Sequence, residues 1–278
     1  MAKRPNPAVK IAQESVHKAV FDEHGNAKPG VHSVLLRAVE VQRPLVLANL
    51  RRLRRRHPNA TAAQLAAKLE RDYLIAVTGG GAAVGATAVV PGLGTAASLG
   101  LSGLATVGFL EATALYAASL AELHGIRLTD PDRARTMVMA IMLGEEGTAL
   151  LGALSGQSRG HGKGVTQTWG KTLSKKLPGS GFGMISDAIQ RAFFRRILKH
   201  QGTAFLGRAL PFGVGAVVGG GGNLMMGRAV VASAKQAFGP MPDTIPGELL
   251  AEPNASSEPG TSPEPTNALT EGNHGPQR

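Results

Sequence analysis

The chain of 278 residues contains no cysteine. Disulfides, thiolate nucleophiles and cysteine-ligated metal centres are therefore excluded, and the composition suits a reducing compartment. Aromatic residues are also scarce, at 4% of the chain. Aromatics supply much of the buried area and shape of an ordinary enzyme core, so this core must be built from smaller side chains. Acidic residues are few, 19 against 30 basic ones. Six of those acids fall between Gly239 and Arg278 beside a single base, which leaves residues 1 to 238 with a formal charge of +16. A body this basic selects anionic partners, either nucleic acid or an anionic membrane face. The opening "MAKRPNPAVK" lacks the basic, apolar and small-residue regions of a signal peptide, so no cleaved leader is expected.

Catalytic signatures are missing too. "GVTQTWGKT" (164–172) approaches a phosphate-binding P-loop but has five residues between its glycines where four are needed, which changes the amides that converge on a phosphate. The other glycine runs follow no strand pattern. "GALSG" (152–156) misplaces its serine for a nucleophile elbow. No pair of histidines is spaced for a zinc site, and the eight histidines are scattered singly. The sequence thus calls for no metal and no cofactor, and a non-enzymatic role is the leading reading.

What the chain does have is glycine, 37 residues of it, and long stretches without charge. Tyr73 to Leu110 is uncharged throughout, with Pro91-Gly92 near its middle. This predicts two helical limbs, about 73–90 and 95–123, folded as a Gly/Ala-rich hairpin. Eighteen helical residues reach about 27 Å, close to the ~30 Å hydrocarbon thickness of a bilayer. A second uncharged run spans Ala209 to Gly227. Gly81 with Gly85, Gly100 with Gly108, and Gly215 with Gly219 recur at helical spacing, the pattern that lets helices approach closely in lipid. Hairpin insertion, peripheral attachment and a soluble core of tightly crossed helices all fit that pattern.

Around these runs the sequence predicts helices from about 34 to 56, 61 to 74 (capped by Thr61) and 184 to 200. A further helix is opened by Asp130 with Pro131 at its first position. The expected fold is all-α and membrane-associated. Its divisions are a basic helical region at 1–60, a helical domain at 61–238 and a disordered Pro/Ser/Glu-rich tail at 239–278. Two basic runs, "RRLRRR" (Arg51, Arg52, Arg54, Arg55, Arg56) and "RAFFRRILKH" (with Arg195 and Arg196), are candidate contacts to anionic lipid. Basic residues flank both ends of the first uncharged run, which puts both ends on the cytoplasmic side. The alternative, a nucleic-acid binder, would use the same arginines with Phe193 and Phe194 as stacking platforms.

Three polar residues stand out as candidates for burial: Glu111, Glu145 and His124. A carboxylate inside an apolar helix must find a cation or take up a proton. Glu111 is the most isolated by charge, and the Gly100–Leu104–Gly108 stripe puts it where another helix should approach. Arg208 or Arg228 could supply the cation. An enzyme using buried carboxylates, with Glu111, Glu122, Glu145 and Glu146 as its candidates, is a further alternative; against it, Glu122, Glu146 and His124 also read as exposed helix ends.

Three blocks occur in order: "AAVGATAVVPGLGTAASLGL", "LAELHGIRLTDPDRARTMVMAIMLG" and "LGRALPFGVGAVVGGGGNLMMGRAVVASAK". Together, over about residues 61–236, they resemble the EcsC family of bacterial proteins. That family is named for a protein encoded beside an ABC-type transporter linked to secretion. The resemblance implies a membrane-associated accessory to envelope transport, secretion or lipid handling, with a membrane transporter as a possible partner. It supplies no catalytic residues.

Overall fold

In the computed structural model, residues 28–87, 95–154, 179–208 and 214–250 are described, and among them there are helices and no strands. Prolines place the first two. Helix α1 (Pro29–Ala38) begins on Pro29, and α2 (Arg43–Arg56) carries Pro44 in its first turn. A proline has no N–H and clashes with the carbonyl four residues back. Pro44 therefore divides the single helix expected over 34–56 into two.

Helix α3 (Ala62–Thr87) opens with a reciprocal capping box. The Gln64 N–H donates to Thr61 Oγ1 at 3.2 Å, and the Thr61 N–H donates to Gln64 Oε1 at 3.0 Å. No break occurs near Tyr73, so the amphipathic segment and the first glycine-rich limb are one helix. Helix α4 (Thr95–Leu123) returns along it. The Pro91-Gly92 turn between them lies outside the described residues. Asp130 caps α5 (Pro131–Leu143) by accepting from the N–H groups of Asp132 and Arg133. Gly144, at φ +64°, then breaks the helix and turns the chain into α6 (Glu145–Leu154). Only glycine adopts that backbone region without strain. Two long helices complete the core, α7 (Gly179–Arg208) and α8 (Val214–Phe238).

Helix α5 is the hub. It is buried on nearly every side, and α4, α6, α7 and α8 all pack against it. Small residues do much of the filling around it: Ala114, Ala117, Ala118 and Ala121 are all buried on α4. The aromatic shortage is thus met by close backbone approach rather than by ring area.

The core crosses both expected domain boundaries. Leu35, Val39 and Leu50 join the same apolar cluster as α4 and α5, so residues 29–56 form one packed unit with the later helices. At the other end the tail does not begin at 239. Met241 and Ile245 pack on the core, and a short helix, α9 (Gly247–Leu250), buries Leu249. The expectation of disorder is corrected for 239–250, and 251–278 lies outside the described residues.

Candidate functional site

Helices α4 and α8 both run antiparallel to α3. On α3 and α8, Lys235 Nζ donates to Glu70 Oε2 at 2.7 Å, and further along Asn223 Nδ2 donates to the Val77 carbonyl at 3.0 Å. On α3 and α4, the Tyr73 hydroxyl donates to Thr113 Oγ1 at 2.9 Å, since Thr113 spends its own proton on the Phe109 carbonyl at 2.7 Å. These pairings bring the C-terminal end of α3 and the N-terminal ends of α4 and α8 to one end of the molecule. Those are the segments without charge. Arg71 and Asp72, Glu111, and Arg228 mark the boundary on the three helices, within about two turns of one another. Beyond it the described helices hold no Asp, Glu, Lys or Arg up to Thr87, Thr95 and Val214.

Beyond this boundary the tip is apolar, and much of it is uncovered. Leu104 is 68% exposed, Met225 74%, Ile75 59% and Met226 49%. Gly79, Gly80, Gly221 and Gly222 lie among them, with nothing within 4 Å of where a Cβ would sit. Isolated exposed apolar residues need no explanation; here four of them fall on three helices that share an uncharged end. The charged boundary below it has a different character. Tyr73 stacks on Tyr116 there, at 4.7 Å between ring centroids. Burial is the main cause that pushes the Tyr73 hydroxyl up to about 12. Burial also raises Tyr116, with the Glu70 carboxylate and Tyr73 adding to the shift.

The glycines that bring α3 and α8 together are Gly220 and Gly227, two turns apart on one face. A Cβ at Gly227 would lie 3.0 Å from both Leu74 Cδ2 and Val77 Cγ2. One at Gly220 would lie 3.3 Å from Ala82 Cβ and 3.4 Å from the Thr78 carbonyl oxygen. Of the glycines predicted for helix packing, Gly81 is buried. Gly108 is corrected: it is exposed, and among the described residues nothing lies within 4 Å of where its Cβ would sit. The surroundings of Gly85, Gly100, Gly215 and Gly219 lie outside the described residues.

The buried-polar expectations change more. Glu111 is exposed and makes no ion pair among the described residues, because Leu104 and Gly108 on its stripe face outward. Glu145 is exposed in the first turn of α6, where a carboxylate suits the positive end of the helix dipole. His124 is half-buried and stacks on Phe238 at 5.3 Å. The buried carboxylate is Glu122, whose side chain is 5% exposed. Arg43 holds it with two hydrogen bonds, Nε to Oε1 at 2.7 Å and Nη2 to Oε2 at 3.1 Å. Both carboxylate oxygens are thus engaged, which describes a structural clamp between α2 and α4 rather than a general base. No local signal links Arg43 to Glu122, 79 residues apart.

The arginine runs divide by role. Arg52, Arg55 and Arg56 are exposed and Arg51 is half-buried, whereas Arg54 donates to the Ala60 carbonyl at 2.6 Å and so braces the turn before α3. Arg195 is exposed. Arg196 donates to the Leu143 carbonyl at 2.9 Å and satisfies the end of α5. Phe193 and Phe194 are buried, packed edge to face on each other. They offer no platform for a nucleobase, which removes the stacking half of the nucleic-acid alternative. The chain matches no family model, no curated protein and no solved structure.

Proposed function

We propose that the protein docks on the cytoplasmic face of a membrane, pressing its uncharged tip into the apolar layer. The observation that carries this reading is the coincidence of level: three adjacent helices lose their charges at one height and expose Leu104, Ile75, Met225 and Met226 beyond it. The described part of each limb is short for a full crossing. From the charged boundary to the helix ends is 14 to 16 residues on each limb, or about 21–24 Å, against the ~30 Å of hydrocarbon. One described helix, Gly103–Leu123, is long and apolar enough to span by composition, but 56% of that window is buried inside the protein. Its C-terminal half is the partner of α5, so embedding by the tip alone fits the fold better than a span.

We further propose that the chain is of the EcsC type, an accessory to envelope transport, secretion or lipid handling with a membrane transporter as a possible partner. The three sequence blocks support that assignment. The docking reading is tested by flotation of the full chain with phosphatidylcholine vesicles. The wild type should float, and Leu104→Ser with Met225→Ser should lose at least about tenfold in binding per side chain, because each exposed apolar group transferred from water contributes roughly 1.5–3 kcal/mol. A wild-type chain that never floats, with or without anionic lipid, overturns it.

A further inference from the structure

On α3, Gln64, Lys68, Arg71, Ile75 and Gly79 follow at steps of three or four residues and so share one face. That face runs through two adjoining shallow grooves. The first, about 640 Å³, lies between α3 and the turn before it, and its cations are Arg56, Lys68 and Arg71; no carboxylate lines it. The second, about 620 Å³, continues toward the tip past Leu74, Ile75, Thr78, Gly79 and Leu224. Arg71 belongs to both. Glu70 also borders the second groove, but its carboxylate is taken by Lys235 at 2.7 Å. Among the described residues, Arg56, Lys68 and Arg71 have no ion pair.

We propose that this track seats a single anionic phospholipid, its phosphate among Arg56, Lys68 and Arg71 and its acyl chain along Ile75 and Gly79. The proposal rests on the docking reading and adds the headgroup chemistry to it. Cations gathered without a carboxylate repel one another, and a phosphate offsets that repulsion with acceptors for an arginine fork. The heights agree with a bilayer. Arg71 stands at the charge boundary, with Lys68 about 4.5 Å and Gln64 about 10 Å on the aqueous side, matching a headgroup zone of roughly 5–7 Å and its edge. Ile75 and Gly79 lie about 6 and 12 Å on the other side, inside the ~15 Å of one leaflet's hydrocarbon. A nucleic acid would need the cations to continue along its backbone. Here they stop at Arg71 and the groove turns apolar, which is the polarity of a lipid.

The experiment compares flotation of the full chain on phosphatidylcholine vesicles and on the same vesicles containing phosphatidylglycerol. The wild type should prefer the anionic vesicles. Lys68→Gln with Arg71→Gln should cut that preference about 30-fold, from roughly fivefold per cation near a charged leaflet, while leaving binding to phosphatidylcholine unchanged. Arg37→Gln with Arg191→Gln removes the same charge from exposed residues outside the groove and should retain the preference. Thermal melting of both double variants checks that each is folded. Equal losses in the two double variants would show delocalised attraction and overturn the site. A wild type that floats on both vesicle types without preference also overturns it, and leaves the docking reading standing. Duplex DNA binding that depends on Lys68 and Arg71, with no vesicle preference, would reassign the groove to nucleic acid.

Discussion

Glu122 is held in the core by one guanidinium. Removing that guanidinium leaves a buried carboxylate without its partner, whereas removing both groups leaves an apolar contact. Arg43→Met should therefore cost about 3–5 kcal/mol, and the pair Arg43→Met with Glu122→Leu should recover most of it. Urea titration reads both, as a shift in midpoint at constant slope. An Arg43→Met protein as stable as the wild type would mean that Glu122 does not depend on the clamp. The two stacked tyrosines add a pH dependence at the alkaline end. Unfolded, a tyrosine releases its proton near its ordinary value of 10, while folded Tyr73 keeps its proton to about 12. Below pH 10 both states are protonated and the stability is fully present. Between 10 and 12 the unfolded state alone ionises, so stability falls as pH rises through that window. Tyr116, raised in the same direction, steepens the fall. Tyr73→Phe should flatten it and cost about 1 kcal/mol at neutral pH through the lost Thr113 hydrogen bond.

Helix α8 carries an internal control for close packing, since its glycines face opposite ways. Gly227 meets Leu74 and Val77 on α3, while nothing lies within 4 Å of Gly221 or Gly222. Gly227→Leu should cost about 1–3 kcal/mol in thermal stability by forcing the helices apart. Gly221→Ala and Gly222→Ala should each stabilise the helix by up to about 1 kcal/mol, because an interior glycine is the poorer helix former. Equal melting of Gly227→Leu and Gly222→Leu would refute the crossing. The same helix shows where sequence reasoning stops. Helix ends are legible wherever a cap or proline makes a local hydrogen-bond argument, as at Thr61 and Asp130, and the start of the second limb at 95 follows from the Pro91-Gly92 break in the uncharged run. The phase of α8 is not legible, because glycines at 219 to 222 in succession cover every face of a helix. Charge isolation likewise favours Glu111 over Glu122. Burial on α4 is decided by which helices cover its C-terminal half, and those are α1, α2, α3, α5 and α8, drawn from nearly the whole length of the chain.

A single core that reaches from Leu35 to Leu249 makes the molecule sensitive at its far end. Truncation after Leu250 should leave the melting temperature unchanged, and truncation after Pro240 should lower it. The second cut removes Met241, Ile245 and the buried Leu249, a loss on the order of 2–5 kcal/mol for the core leucine alone. The uncharged tip behaves in the opposite way, since it contributes exposed area that the core does not use. Its purpose can be read by depth, and the lack of native cysteine makes the reading clean. Single cysteines at Leu104, Met225 and Arg52, labelled with an environment-sensitive fluorophore, should separate on addition of anionic vesicles. Leu104 and Met225 should shift to the blue as they enter hydrocarbon, and Arg52 should not. Described limbs of about 21–24 Å end short of the far headgroups of a ~30 Å core. A further single cysteine at Thr87, the described end of α3, should therefore stay protected from an aqueous quencher trapped inside the vesicles, and quenching from the inside would replace docking by a span.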